Sequence, residues 1–173
     1  MNVDISNSVT SIGDEAFYQC TGLTSIVIGN NVKSIGEYAF CNCVKLATVT
    51  IPNGVISIGS EAFTFCDGLT NITIPSSVAS IGWCAFGGCY GLTSVTIDNG
   101  VKNIGDSMFY DCIKLANVRI GSGLNSISSN AFLGCSALTD IYIDAPEGSI
   151  PGAPWGAPNS PTIHWNTPLP TED

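Results

Sequence analysis

The sequence predicts a solenoid of stacked coils. Phe17, Phe40, Phe63, Phe86, Phe109 and Phe132 return every 23 residues without slipping. Cys20, Cys43, Cys66, Cys89, Cys112 and Cys135 keep the same period. Between them run columns of Leu, Ile and Val in fixed phase. A period of this size marks units that cannot close a core alone and bury one only by stacking. Such proteins mostly present an extended surface to a partner.

Each coil reads C-x-x-L-x-x-[IV]-x-I-x-x-x-V-x-x-I-G-x-x-A-F-x-x-C. The leucine column is Leu23, Leu46, Leu69, Leu92, Leu115 and Leu138. After it, Ile26 and Ile28, and their equivalents in every coil, alternate with polar residues. That period of two, in β-branched residues, predicts a short strand with one face inward. Stacking the strands gives one parallel sheet, with neighbours about 4.8 Å apart. Val3 to Ile5 has the phase of a first strand, making seven and a sheet of roughly 30 Å.

V-x-x-I-G predicts a second extended or turn segment. Its glycine (Gly13, Gly36, Gly59, Gly82 and Gly105, with Ser128 in the last copy) implies positive φ or a close backbone approach. A-F-x-x-C has the spacing of one helical turn, so a short α or 3-10 turn is expected there, with Ala, Phe and Cys inward.

These motifs resemble the BspA-like (Treponema pallidum type) leucine-rich repeat. The copy from Cys66 to Phe86 fits that pattern at every position, and the resemblance covers about residues 3 to 143. The proline after the strand is kept only at Pro52 and Pro75. The resemblance implies a right-handed leucine-rich-repeat superhelix with strands on its concave side. It also implies a bacterial cell-surface or secreted protein that binds host or microbial proteins or glycans, and it brings no catalytic residues.

The solenoid is expected over 1–143, a C-terminal cap over 144–166 and a linker or tail over 167–173. Seven of the nine prolines follow Ile143, together with Trp155, Trp165 and the single histidine, His164. Disordered tails are poor in aromatics, so a cap laying both tryptophans over the last coil is the better reading. The N-terminus starts inside a repeat and lacks the basic and apolar regions of a signal peptide. It reads as a piece of a longer secreted protein; an intracellular protein with a ragged first coil is the alternative. An unfinished first coil exposes a sheet end, which could pair end-to-end with another copy.

The chain has 173 residues, one domain's worth, and a net charge of −9 with five basic residues. Nucleic acid and anionic membrane surfaces are therefore disfavoured partners. No stretch is long and apolar enough to span a bilayer as a helix. The cysteine ladder lacks paired C-x-x-C arms, so zinc is rejected and buried free thiols are expected. Cys41 and Cys84 fall outside the ladder and are expected to be exposed. Asp14, Glu15, Glu37, Glu61 and Asp106 share two columns, which read as a solvated face rather than a calcium site. No nucleophile, phosphate-loop or zinc-protease motif occurs. The chain reads as non-enzymatic, with no cofactor.

Two faces compete for a ligand. The outward strand face carries Thr50, Thr73, Thr96, Arg119 and Tyr142, a flat, hydroxyl-rich surface. The turn side carries Tyr18, Tyr38, Phe65, Trp83, Tyr90 and Tyr110 at phases expected to be exposed. Exposed aromatics are enriched at interfaces. A structural spacer, or an accessory domain of a larger surface enzyme, is the alternative to a binding module; a spacer would need no such aromatics.

Overall fold

The structure, a computed structural model, describes residues 1–170. The end of the expected tail, 171–173, lies outside the described residues. The first strands in chain order are β1 (Asn2–Asp4), β2 (Ser11–Ile12), β3 (Ser25–Val27), β4 (Ser34–Ile35), β5 (Thr48–Thr50), β6 (Ser57–Ile58) and β7 (Asn71–Ile74). Then come β8 (Ser80–Ile81), β9 (Ser94–Ile97), β10 (Asn103–Ile104), β11 (Asn117–Ile120), β12 (Ser126–Ile127), β13 (Asp140–Ile143) and β14 (Thr162–Trp165).

The odd-numbered strands form the expected parallel sheet, in two blocks: β1–β3–β5, and β7–β9–β11–β13 with β14 added at its edge. The register advances by one repeat at each step, Val3 facing Ile26, Ile26 facing Val49 and Ile72 facing Val95. Alternation turns Ile26, Ile72, Val95, Val118 and Ile141 into the core. The residues between them point to solvent.

The V-x-x-I-G segment forms a second ladder of two-residue strands, β2–β4–β6–β8 and β10–β12. None of its glycines has positive φ, and Gly36, Gly59 and Gly82 serve close approach. A Cβ at Gly59 would lie 2.5 Å from the Glu37 nitrogen, and one at Gly82 2.3 Å from the Ser60 nitrogen. Between β8 and β10 the ladder is broken, and a Cβ at Gly105 would meet nothing closer than the Ile81 oxygen at 3.9 Å.

The A-F-x-x-C segment is not helical, contrary to its spacing; no helix occurs among the described residues. Its amides alternate in direction. Ala16, Tyr18 and Cys20 donate to carbonyls three residues back, closing successive β-turns. Glu15, Phe17 and Gln19 donate instead to Glu37, Ala39 and Cys41 of the next coil, each at 2.8 Å. A helix would have spent every amide inside its own coil. The alternating path satisfies the buried backbone and ties neighbours together. It requires left-handed φ at Glu15 and Gln19 (both 55°), and the same phase recurs at Tyr38, Asn42, Glu61 and Phe65. This third ladder continues past both breaks in the others and ends where the Phe132 amide donates to the Trp155 carbonyl at 3.1 Å.

Phe17 to Phe132 stack one on the next inside the turns. Centroids are 5.1–5.2 Å apart from Phe17 to Phe86 and 5.7–5.8 Å apart from Phe86 to Phe132. The ladder cysteines are free thiols. Each from Cys43 to Cys135 donates to the phenylalanine carbonyl of the preceding coil, at 3.0–3.3 Å.

The segment after β13 closes the C-terminal end. Trp155 is 1% exposed, donates from Nε1 to the Pro151 carbonyl at 2.9 Å and meets Trp165 edge-on. β14 pairs with β13 at an offset of 22, Asp140 facing Thr162, so this closing coil is one residue shorter than a repeat. The other end is bare: Phe17 and Cys20 are only half-buried, whereas their equivalents further along are fully enclosed.

Candidate functional site

The strand face places the expected residues in one outward column. Thr50, Thr73 and Arg119 are exposed, and Thr96 and Tyr142 half-buried. Arg119 faces Thr96 on β9 and Tyr142 on β13. Its guanidinium lies over the Tyr142 ring, 4.5 Å from the centroid. His164 stacks on the opposite face of Tyr142, centroids 4.3 Å apart and planes within 9°. His164 Nε2 is 2.8 Å from Asp140 Oδ1, and this contact holds the Asp140 carboxyl below its ordinary range. A guanidinium stacked in this way keeps its in-plane N–H donors free for a ligand.

A cleft of about 530 Å³ opens beside this column. Thr73, Thr96 and Arg119 form its floor, Ser76, Asp98 and Asn99 one rim, and Leu169 and Pro170 the other. The chain beyond β14 reaches it by doubling back. The Thr167 amide donates to the Ile143 carbonyl, and Leu169 lies where a Cβ at Gly121 would come within 2.9 Å of it. The sequence reading missed Asp98, Asn99, Leu169 and Pro170, because nothing in the repeat pattern says where the tail returns.

The turn side exposes Tyr18, Phe65, Trp83, Tyr90 and Tyr110, with Trp83 the most open at 52%. Tyr38 is half-buried and donates to Glu61 Oε1 at 3.0 Å, which raises its pKa. Phe65 and Tyr90 touch, centroids 6.1 Å apart. Ile113 shares the column of Tyr90, Leu133 that of Tyr110, and both are exposed. Their columns made both legible in the sequence, although neither is aromatic.

Cys41 and Cys84 correct an expectation: they are buried, 3% and 6% exposed. Cys84 has left-handed φ (54°), and its sulfur occupies the space that a side chain at Gly87 would need. A helical turn would have pointed it outward. Burial pushes the Cys41 thiol up to about 11 and raises that of Cys84. In the acidic columns, Asp14 Oδ1 accepts the Glu37 amide at 2.8 Å, and Asp106 accepts Ser128 and Asn130. Among the described residues no group of three or more His, Cys, Asp or Glu could hold a metal. No helix there is long and apolar enough to cross a membrane.

Parallel strands on 23-residue coils around a Leu, Ile and Phe core define a leucine-rich-repeat solenoid. The chain belongs to the BspA type leucine-rich repeat family, whose model matches residues 1–82 and 56–151 with six copies. The leucine-rich repeat protein of T. pallidum is similar in structure, with TM-score 0.77 and 33% identity over 87% of this chain and 72% of that one. The pneumococcal vaccine antigen PcpA shares the fold, with TM-score 0.77 and 18% identity over 94% of this chain and 41% of PcpA. So does a leucine-rich repeat protein of Eubacterium ventriosum, with TM-score 0.70 and 23% identity over 83% of this chain and 49% of that protein. No curated protein matches the sequence.

Proposed function

We propose that this chain is a non-catalytic recognition module of a bacterial cell-surface or secreted protein, binding a host or microbial protein or glycan through its concave strand face. One observation carries the reading. The face is uniform Thr, Ser and Asn in its middle coils, and departs from that at Asp4 and Val27 near its start and where Arg119, Tyr142 and His164 stack beside the cleft. A spacer, or the passive part of a larger enzyme, gains nothing from a stacked cation on the wall of a cavity of ligand size. The test is a screen against host matrix proteins and a glycan array, with Arg119→Ala/Tyr142→Ala and Trp83→Ala/Tyr110→Ala variants alongside. A hit lost only in the first variant supports the reading. No hit from a folded sample favours the spacer.

A second reading places the ligand on the turn side. Phe65, Tyr90, Tyr110, Ile113 and Leu133 are exposed apolar residues on four successive coils, Phe65 touching Tyr90, the kind of surface that protein partners cover. A hit lost only in the Trp83→Ala/Tyr110→Ala variant selects it. End-to-end pairing through the bare first coil is a separate proposal. Asp4, Asp14 and Glu15 lie at or beside that end and oppose it, and sedimentation at high concentration measures it directly.

A further inference from the structure

We infer that the turn side docks a cationic segment of a protein partner, one that carries Lys or Arg beside apolar residues. The inference rests on the turn-side reading above and names the chemistry of its partner; it does not depend on the strand-face reading. Phe65, Tyr90, Tyr110, Ile113 and Leu133 supply the apolar contact. Phe65 has left-handed φ (58°), at a phase where Asn42, Gly88 and Gly134 are residues that tolerate it. A bulky side chain is strained there, yet Phe65 stays 38% exposed, so burial in the core does not account for it.

Acids border this surface. Asp67 shares the column of Tyr90 one coil earlier, Asp111 follows Tyr110 in the column of Phe65, and Asp106 shares the column of Trp83 one coil later. Asp67 Oδ1 is buried and has no hydrogen-bond partner. Burial pushes the Asp67 carboxyl up, and the neighbouring Tyr90 amide offsets only part of that. Asp111 raises the pKa of the Tyr110 hydroxyl through its charge and a hydrogen bond. Among the described residues neither Asp67 nor Asp111 has an ion-pair partner, and Lys45 and Lys114 at the neighbouring phase reach neither. A buried acceptor without a donor is costly, and a Lys or Arg from a partner would supply one. Aromatic faces attract the same groups, Arg above all. Charge then chooses among occupants. An acidic partner is repelled, and so is a second copy of a chain of net charge −9. A neutral apolar partner would cover these carboxylates without pairing them, which is unfavourable. A glycan needs flat rings to stack on, and Ile113 and Leu133 offer none.

The experiment is selection of a random dodecapeptide library on the unaltered chain, followed by fluorescence-anisotropy titration of the selected peptides. The titrations compare the unaltered chain with Tyr110→Ala/Ile113→Ala, Asp67→Asn/Asp111→Asn and Arg119→Ala/Tyr142→Ala. Asn tolerates the left-handed φ that Asp111 adopts (54°). Circular dichroism checks that each variant folds. Selected peptides are expected to combine Lys or Arg with apolar residues. Each turn-side variant weakens them about tenfold or more. Added salt weakens binding to the unaltered chain, and the strand-face variant leaves it unchanged. Peptides without basic residues, lost in Tyr110→Ala/Ile113→Ala and indifferent to Asp67→Asn/Asp111→Asn, overturn the cationic assignment and leave the turn-side reading standing. Basic peptides that bind both turn-side variants as well as the unaltered chain are held by net charge alone and overturn the inference. Peptides lost only in Arg119→Ala/Tyr142→Ala overturn it together with the turn-side reading, and so does an empty selection.

Discussion

Gly82 and Gly105 occupy the same phase of successive coils, each following an isoleucine, and the sequence treats them as equivalent. The structure does not. A Cβ at Gly82 falls 2.3 Å from the Ser60 nitrogen and 2.6 Å from the Gly59 carbonyl carbon, both backbone atoms held by the second ladder. Backbone cannot swing aside as a long side chain can, so coils three and four must separate locally. Overpacking of this kind costs about 1–3 kcal/mol, and rigid neighbours put Gly82→Ala near the top of that range. At Gly105 the ladder is interrupted, and the nearest atom to an added Cβ is 3.9 Å away. There the methyl group fits, φ is not left-handed, and the main effect is to restrict the unfolded chain. Gly105→Ala should therefore stabilise by about 0.4–1 kcal/mol. For a chain of this size each kcal/mol moves the melting temperature by about 2–4 °C. Thermal melts followed by circular dichroism should show Gly82→Ala roughly 4–12 °C below the parent and Gly105→Ala level with it or slightly above. Equal losses at the two sites would refute the claim that spacing between coils, rather than φ, selects glycine in this column.

Phe86→Ala, which removes a ring stacked on both sides, should cost about 3–5 kcal/mol in urea titrations, with Phe17→Ala at the half-exposed end costing clearly less. Trp155→Ala should cost about 3–5 kcal/mol and leave Phe132 open to solvent, read as increased binding of a hydrophobic dye; an unchanged melt would mean that Trp155 does not seal the end. Burial pushes the Cys135 thiol up to about 12 and that of Cys43 to about 11. An unfolded thiol ionises near pH 8.5, at about its ordinary value. The unfolded chain therefore releases protons that the folded one retains. Stability should fall as pH rises from about 8.5 towards 11–12 and hold steady below that window. A stability profile flat to pH 11 would contradict it. In the native state, a thiol reagent at pH 8 should modify Cys20 first, with the other seven protected until the coils open.

The repeat made the coil count, the strand register and the inward columns readable, because each apolar column must stack on itself. Val3 could be set against Ile26 from phase alone, and the register agrees. The turn was misread because Ala, Phe and Cys have helical spacing, yet the demand that decides the conformation comes from the neighbouring coil. Alternate amides are needed to bridge coils, and that requirement is invisible within one repeat. The same misreading placed Cys41 and Cys84 outside. Of the candidate site, Arg119 and Tyr142 were visible as successive residues that follow three threonines in one column. Their stacking on His164, and the return of Leu169 to wall the cleft, depend on a chain reversal that no periodicity encodes.

Past the last repeat the stack is sealed by a tryptophan whose carbonyl continues the amide ladder. In a stack where each coil leans only on its neighbours, a sealed side gives loss of order no place to start. The stacked cation and its cleft sit in the coils nearest that seal, so the part proposed to grip a ligand is braced by the same tryptophan that closes the core.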